Sequence, residues 1–559
     1  MPRQLPIVII PLFFLICFFY YPLVTVLRDA LISESNVITL SYLIAVLFRP
    51  LERRIIFFTF YQAILSSILT LLFGLPGAYI FAKFDFPGKA LLKSLITIPF
   101  VLPSIVVAFG FLMMFGPYGY INQALMYLMK SRTPVLIIDG LILILLAHVF
   151  YNVPIVIQMV SSSWERIDPS LDEAAESLGS RGLHKFFNVT LPQIYPSILS
   201  SALLTFIFCF LSFTIVITLG GVRYRTIEVH IYSLYKVFFE YHLAAALALV
   251  QILISLTFIA AYTKYSERVT KEVTIGRVER IETKPLLTTA SDLLTPSRML
   301  IILYFLGLFT LFGGPIFGVI YSSIYDPISK SISLDGYYII LNSAYNTNLG
   351  TSPFNALTNS LVYAVGTLFI SVLFGIFSSY TVYRIKIRGG SILTTLVLLP
   401  LGVSTITVSL GLVRAYFFID VIYENLWFLI LMAHVLVAYP FSMRAISNAL
   451  ARVDPDLLDA AKSLGASDLK TFLKVELPII APGIIVASIF SFAISIGEMA
   501  ATLFLATPNY ITIPVSIYLF IGVRKFTAAG AMGVFLLIIC TVAFLLIQKI
   551  GKSEISGGF

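Results

Sequence analysis

DPSLDEAAESLGSRGLHKFFNVTLPQIYPSI (168–198) and DPDLLDAAKSLGASDLKTFLKVELPIIAPGI (454–484) align without a gap and share their punctuation: Asp-Pro, Ala-Ala, Ser-Leu-Gly, Leu-Pro and a last Pro. Each reads as two short helices. Asp168 and Asp454 stand where a side chain accepts a backbone N–H, and Pro169 and Pro455 suit the first helical position. Carboxylates in the first turns, Asp172 with Glu173 and Asp456 with Asp459, complement the positive end of the helix dipole. Gly179 and Gly465 end the helix by supplying a left-handed residue. Ala174–Ala175 and Ala460–Ala461 leave a low surface over which another protein could close. A second amphipathic helix is expected to run to Pro192 and Pro478.

The repeat extends beyond these stretches. Ala147-His148-Val149 returns as Ala433-His434-Val435 with the same offset. Phe73-Gly74, Pro99 and Gly110 return as Phe374-Gly375, Pro400 and Gly411 with a larger one. The first half is therefore expected to carry a longer loop, around 117–134.

The 559 residues are 59% hydrophobic and 12% charged. Soluble proteins carry about a quarter charged residues, so lipid must be the solvent for most of this chain. About twenty apolar residues span the hydrocarbon as helix, and about twelve segments qualify: 6–27, 56–82, 94–116, 135–160, 197–220, 243–263, 299–323, 358–383, 391–416, 425–445, 483–506 and 527–548. Helix is required because lipid satisfies no backbone polar group. The segments 56–82 and 358–383 are expected to begin with amphipathic turns. The run from Met1 to Leu27 is too long for a secretory signal and reads as an uncleaved first span.

The expected fold is all-α and polytopic: a first half over 1–265, a cytoplasmic linker over 266–297 and a second half over 298–559. Six helices per half give a parallel repeat with its pseudo-twofold axis along the membrane normal and the solute path between the halves. Net charge is +9, which in a membrane protein reports orientation before it reports nucleic acid. Lys264, Arg268, Lys271, Arg277, Arg280, Lys284 and Arg298 mark the linker as cytoplasmic, with both termini on that side of the cell membrane. Arg49, Arg53 and Arg54 argue the other way and are assigned to an external turn.

The two stretches resemble the signature loop of binding-protein-dependent ABC importer permeases. Glu173, Ala174, Ala175, Gly179, Val189, Leu191 and Pro192 match the family's pattern; Asp459, Ala460, Ala461, Gly465, Val475, Leu477 and Pro478 match it again, with Asp for the leading Glu. The resemblance implies that each loop is a coupling helix docked on an ATPase subunit, so that one chain sits on an ATPase dimer. It also implies an external binding protein that delivers the solute, and alternating access driven by ATP. The chain has no phosphate-binding G-x-x-x-x-G-K-[ST]: Gly88-Lys89 and Gly551-Lys552-Ser553 each lack the earlier glycine. Hydrolysis is thus expected in a partner chain, with no cofactor or metal here.

Fused two-half versions resemble the thiamine and ferric-iron permeases, in a group that also handles oxyanions and polyamines. Phe213–Gly221, Thr226-Ile227-Glu228, Ile231-Tyr232 and Ala246–Gln251 lean towards the thiamine type; Gly497-Glu498-Met499-Ala500-Ala501 is shared across branches.

Glu498 lies in an apolar run, where a carboxylate is a functional candidate by default and a structural hydrogen bond across the half interface is the alternative. His148 and His434 are expected at interface level near helix starts, and Asp139 and Asp420 at the outer surface. Cys17, Cys209 and Cys540 fall in apolar runs as filler. The 325–357 segment, with Asp326, Asp335, Asn342, Tyr345 and Asn348, is the longest external loop and is expected to help receive the binding protein. A secondary transporter would place paired ionisable groups at mid-membrane, and only Glu498 stands out. No HExxH, GxSxG or Cys–His pairing suggests an enzyme.

Overall fold

Helix dominates, as a chain whose backbone must satisfy itself in lipid requires. The computed structural model describes residues 5–97, 99, 102–135, 138–275, 284–286, 295–342, 346, 348–383 and 390–551. Among these, 11 helices are long and apolar enough to cross a membrane; a bent pair, Leu393–Gly402 with Thr405–Tyr416, makes up to 12. The segments expected to begin with amphipathic turns, 56–82 and 358–383, belong to the long unbroken helices Pro50–Lys83 and Pro353–Tyr383. Arg53 and Arg54 sit exposed on the first turns of the former, with Arg49 at its N-cap.

The straight spans expected at 94–116, 197–220, 391–416 and 483–506 are each broken. Lys89–Thr97 is followed by a separate helix, Ser104–Phe115, and its counterpart bends by 102°. Pro103 and Ser404 hold extended backbone at these breaks. Leu191–Phe210 stops before a short helix, Thr214–Leu219, and Leu477–Ile496 stops before Ala500–Leu505. The expected 117–134 loop contains its own helix, Tyr120–Leu128.

The sixth helix, Tyr241–Ile275, runs ten residues beyond the expected boundary at 265. Lys284–Pro285 pairs in parallel with Phe84–Asp85, and the Leu286 N–H donates to the Asp85 carbonyl at 2.8 Å. The linker therefore returns to the membrane face where the second span ends. Arg277 and Arg280 lie outside the described residues.

Within the first half, Gly140–Trp164 packs along Pro50–Lys83; Trp427–Leu450 packs along Pro353–Tyr383 in the second. The buried stripe Ala63, Ser66, Ser67, Thr70, Gly74, Gly77, Ala78 explains the closeness. Without a hydrophobic drive between helices in lipid, small residues gain packing by letting backbones approach. A Cβ on Gly74 would sit 2.7 Å from the Cβ of Val156.

The two halves interlock. Tyr21–Leu31 of the first half packs on Thr405–Tyr416 of the second, while Pro296–Ser322 of the second packs on Ser104–Phe115 of the first. Gly110 faces the carbonyl of Pro315, and a Cβ on Gly411 would lie 2.8 Å from the carbonyl oxygen of Pro22. These paired approaches explain why glycine recurs at the two positions.

Gly411→Leu should overpack this crossing and lower stability by about 1–3 kcal/mol. Thermal unfolding in detergent should shift down accordingly; an unchanged midpoint would mean that the crossing is loosely packed.

Candidate coupling loops and translocation path

Each loop begins with a capped helix. The Asp168 carboxylate accepts the Ser170 N–H at 2.9 Å over Pro169–Ser177, and Asp454 accepts that of Asp456 at 2.9 Å over Pro455–Ser463. Hydrogen bonds from Ser170 also hold the Asp168 carboxyl below the ordinary carboxylate range. Both helices end in the same motif. Ser180 N–H reaches back to the Ala175 carbonyl (2.9 Å) and Gly179 N–H to that of Glu176 (2.9 Å); Ala466 and Gly465 repeat this onto Ala461 and Lys462. The motif needs a left-handed residue, and Gly179 and Gly465 have φ of 84° and 86°. Neither has an atom within 4 Å of where a Cβ would stand, so the conformation and not crowding requires glycine.

The alanine pairs do not form one low surface. Ala174 faces out, whereas Ala175 is buried; Ala460 is exposed and Ala461 half-buried. The outward surface also carries leucines that the sequence reading missed. Leu178 and Leu464 are 88% and 89% exposed, with Leu171, Leu183, Leu457 and Leu469 exposed beside them at matched positions. Glu173 and Asp459 are exposed on the same helices.

Pro192 and Pro478 do not end a second helix. Gly182–Lys185 passes through a π-helical turn, Phe186–Thr190, straight into Leu191–Phe210, and Asp468–Ile496 does the same through Phe472–Glu476. The wider turn precedes a proline in each, and relieves the ring's clash with the preceding turn. Leu191 and Leu477 pack onto the buried clusters beneath the loops. Trp164 lies between Tyr79 and Phe186, at 5.4 and 6.1 Å between ring centroids, and Tyr380 bonds the Glu476 carboxylate. Each loop is thus a rigid extension of membrane helices.

Glu498 lies in a helix break, not within a span. Its carboxylate accepts the N–H of Ala501 (3.0 and 3.1 Å) and of Thr502 (3.3 Å), capping Ala500–Leu505. His434 stands 3.6 Å away through Nε2, which also meets Thr502 Oγ1 at 2.8 Å; its Nδ1 meets Ser495 Oγ at 2.8 Å. All these partners belong to the second half, so the expected cross-half hydrogen bond is replaced by a local cap. The neighbouring Gly497 makes the cross-half approach, with Pro103 ring atoms 3.1 Å from its would-be Cβ. His148 and His434 are both buried in the protein, and His148 Nδ1 meets Ser66 Oγ at 2.9 Å.

Of the buried acids the sequence reading did not single out as site candidates, Asp29 and Glu228 lie nearest the other half. Asp29 is paired with Arg28 (3.2 Å) and, across the halves, with Arg414 (2.5 Å). Glu228 takes a 2.6 Å bond from Gln251, whose carbonyl accepts Thr407 Oγ1 of the other half at 3.3 Å. A break or a partner was the missing signal: neither shows in hydropathy.

Asp139 binds the Tyr224 hydroxyl with Arg223 at 3.8 Å, and Asp420 opens an exposed short helix. In the 325–357 segment, Asp326 caps a tight turn through the N–H groups of Ile328 and Ser329, Asp335 opens the helix Asp335–Leu341, and Asn346 pairs with Thr351. Asn342 and Asn348 sit in turns of that segment; Tyr345 lies outside the described residues. Cys17, Cys209 and Cys540 are free thiols, and Cys209 Sγ accepts from Asn152 at 3.5 Å.

Because Glu498 acts as a cap, Glu498→Gln keeps an acceptor and should cost little, whereas Glu498→Ala should cost about 1–2 kcal/mol. Comparing the two melting points in detergent checks this; equal losses would point to the charge instead of the cap.

The sequence pattern of the family described as "Binding-protein-dependent transport system inner membrane component" matches residues 74–271 and again 371–554. The chain is 26% identical over 497 residues to the thiamine transport system permease protein ThiP of Salmonella typhimurium, covering 88% of each. It is 25% identical over 463 residues to the ferric transport system permease protein FbpB of Actinobacillus pleuropneumoniae, covering 81% of this chain and 64% of that one. The ThiP of Brucella abortus is 34% identical over 206 residues, 36% of this chain and 37% of its own. These relatives are named as transport permeases, not enzymes. With two copies of its pattern and 11 or 12 membrane helices, the chain belongs to the inner-membrane component family of binding-protein-dependent transport systems and is a multi-pass permease.

Proposed function

We propose that this permease carries thiamine or a close chemical relative, delivered by an external binding protein and driven by two ATPase subunits. The observation that carries the reading is the pair of capped, leucine-studded loops at 168–198 and 454–484. Their matched exposed leucines would sit in a groove of a partner, as an amphipathic helix does when it lays its apolar side into a complementary surface. Glu173, Ala174, Gly179, Asp459, Ala460 and Gly465 shape the docking helices. Ala175, Leu191, Pro192, Ala461, Leu477 and Pro478 join them to the spans, so motion of an ATPase reaches the membrane without slack.

In this reading the halves are 1–265 and 298–559, with 266–297 between them. Both termini, the linker and the coupling loops face the cytoplasm, supported by the basic residues around 264–298. The 325–357 loop would then face the binding protein. The two halves rock about the path between them, outward-open when the ATPases close and inward-open after hydrolysis. The thiamine assignment is supported by the names of the ThiP relatives, which align along most of the chain. The ferric-iron relative supports the second reading, a ferric-iron importer of the same architecture.

The test is uptake into proteoliposomes holding this chain, its host's ATPase and binding protein. ATP-dependent thiamine uptake is expected, and Leu178→Asp or Leu464→Asp should each lower it about tenfold, roughly 1.4 kcal/mol of docking free energy. Uptake of ferric iron alone selects the second reading. Uptake that ignores both ATP and the leucines contradicts the proposal.

A further inference from the structure

The two seams between the halves differ in chemistry. Thr405–Tyr416 is stitched to the first half by Arg414 to Asp29 (2.5 Å), Thr407 to Gln251 (3.3 Å) and Tyr416 Oη to the Cys17 carbonyl (2.6 Å). At the matching positions of Ser104–Phe115, aligned through Gly110 and Gly411, stand Val106, Met113 and Phe115. None of these can repeat the ionic contact, and this side of the molecule is joined by hydrogen bonds such as Tyr304 Oη to the Phe73 carbonyl (2.9 Å) and Gln123 Nε2 to the Pro327 carbonyl (3.4 Å). Parting the first seam would leave the buried Asp29 carboxylate without its cross-half cation, which is strongly unfavourable. Among the described residues, the seam along Ser104–Phe115 has no ion pair across the halves to match Arg414 with Asp29.

A cleft of about 220 Å³ lies between the halves at the N-terminal end of Ser104–Phe115. Leu102, Pro103, Ser104 and Tyr151 line it from the first half; Phe490, Ala493, Ile494 and Gly497 line it from the second. Two helix breaks meet there, before Ser104 and after Ile496. Discontinuous helices meeting at a repeat interface are where transporters of several folds hold their solutes. The chemistry of the lining is specific. Tyr151 and Phe490 bring aromatic rings to the lining, with the Tyr151 hydroxyl committed to the Leu102 carbonyl at 3.0 Å. Ser104 supplies a hydroxyl at a helix N-terminus, where donors favour an acceptor atom. A hydrated metal ion would have to exchange water for carbon on most sides.

We propose that this cleft is the solute-holding site of the translocation path and that it takes a planar heteroaromatic ring, stacked by Tyr151 and Phe490, with a ring nitrogen accepting from Ser104. The proposal rests on the importer reading above and sharpens it from a choice of cargo to a class of ring.

Two measurements test it. In the reconstituted complex, Tyr151→Ala and Ala493→Trp should each lower thiamine uptake at least about tenfold with binding-protein-stimulated ATP hydrolysis retained. Uptake indifferent to Ala493→Trp, or uptake and hydrolysis falling together, would overturn it. Separately, alkylation of Ala493→Cys in the purified chain, corrected for the native thiols, should be slowed by millimolar thiamine and not by ferric citrate. Slowing by ferric citrate alone, or by neither, rejects the ring site. This second assay needs no ATPase, so a failed importer reading and a failed cleft give different results.

Discussion

A helix that stops inside a bilayer leaves backbone N–H groups that hydrocarbon cannot satisfy, and the structure is organised around how those groups are met. Glu498 meets them for Ala500–Leu505, and Ser404 accepts the Thr407 N–H at 3.1 Å for Thr405–Tyr416. Both of these second-half breaks are closed by a side-chain acceptor, whereas the matching first-half helices begin at Pro103 and Phe213 without one. Because the breaks lie beside the opposite half, the residues that close them also set where the halves touch: Gly497 against Pro103, and Thr407 towards Gln251 and Glu228.

The duplication and its departures from symmetry do different work. Repeated features build the machine: Asp168 and Asp454 as caps, Gly179 and Gly465 as left-handed turns, Gly110 and Gly411 as crossing points. Unrepeated ones distinguish its two sides. Glu498 aligns with Ser212, and Arg414 with Met113, so neither acid cap nor ionic stitch has a twin. Symmetric loops with asymmetric contacts between the halves suit the proposed function, in which two like ATPases move one solute along one route.

Much of this was legible from residues alone. The repeat, the helical membrane class and the two loops followed from Ala-Ala, Gly and Leu-Pro spacing and from runs of apolar residues. The helix breaks were not, because an apolar window of twenty residues averages over a two- or three-residue interruption such as Gly497–Met499. Proline misled twice. Pro192 and Pro478 suggested helix ends, yet a π-turn carried each helix through; Pro99 and Pro400 lay close to real breaks and were passed over. The interlocking first helices left no trace in periodicity, since lipid and protein are equally apolar neighbours. Asp29 and Glu228 looked like an ordinary span end and a family marker until their partners across the halves were known.

The most direct test of the central claim is the mass of the intact assembly released gently from its native membrane. One copy of this chain with two ATPase subunits is expected, since the proposed function gives each of the two loops one ATPase subunit to dock. A chain that leaves the membrane alone, and binds none of its host's ATPases when they are added back, would contradict the account.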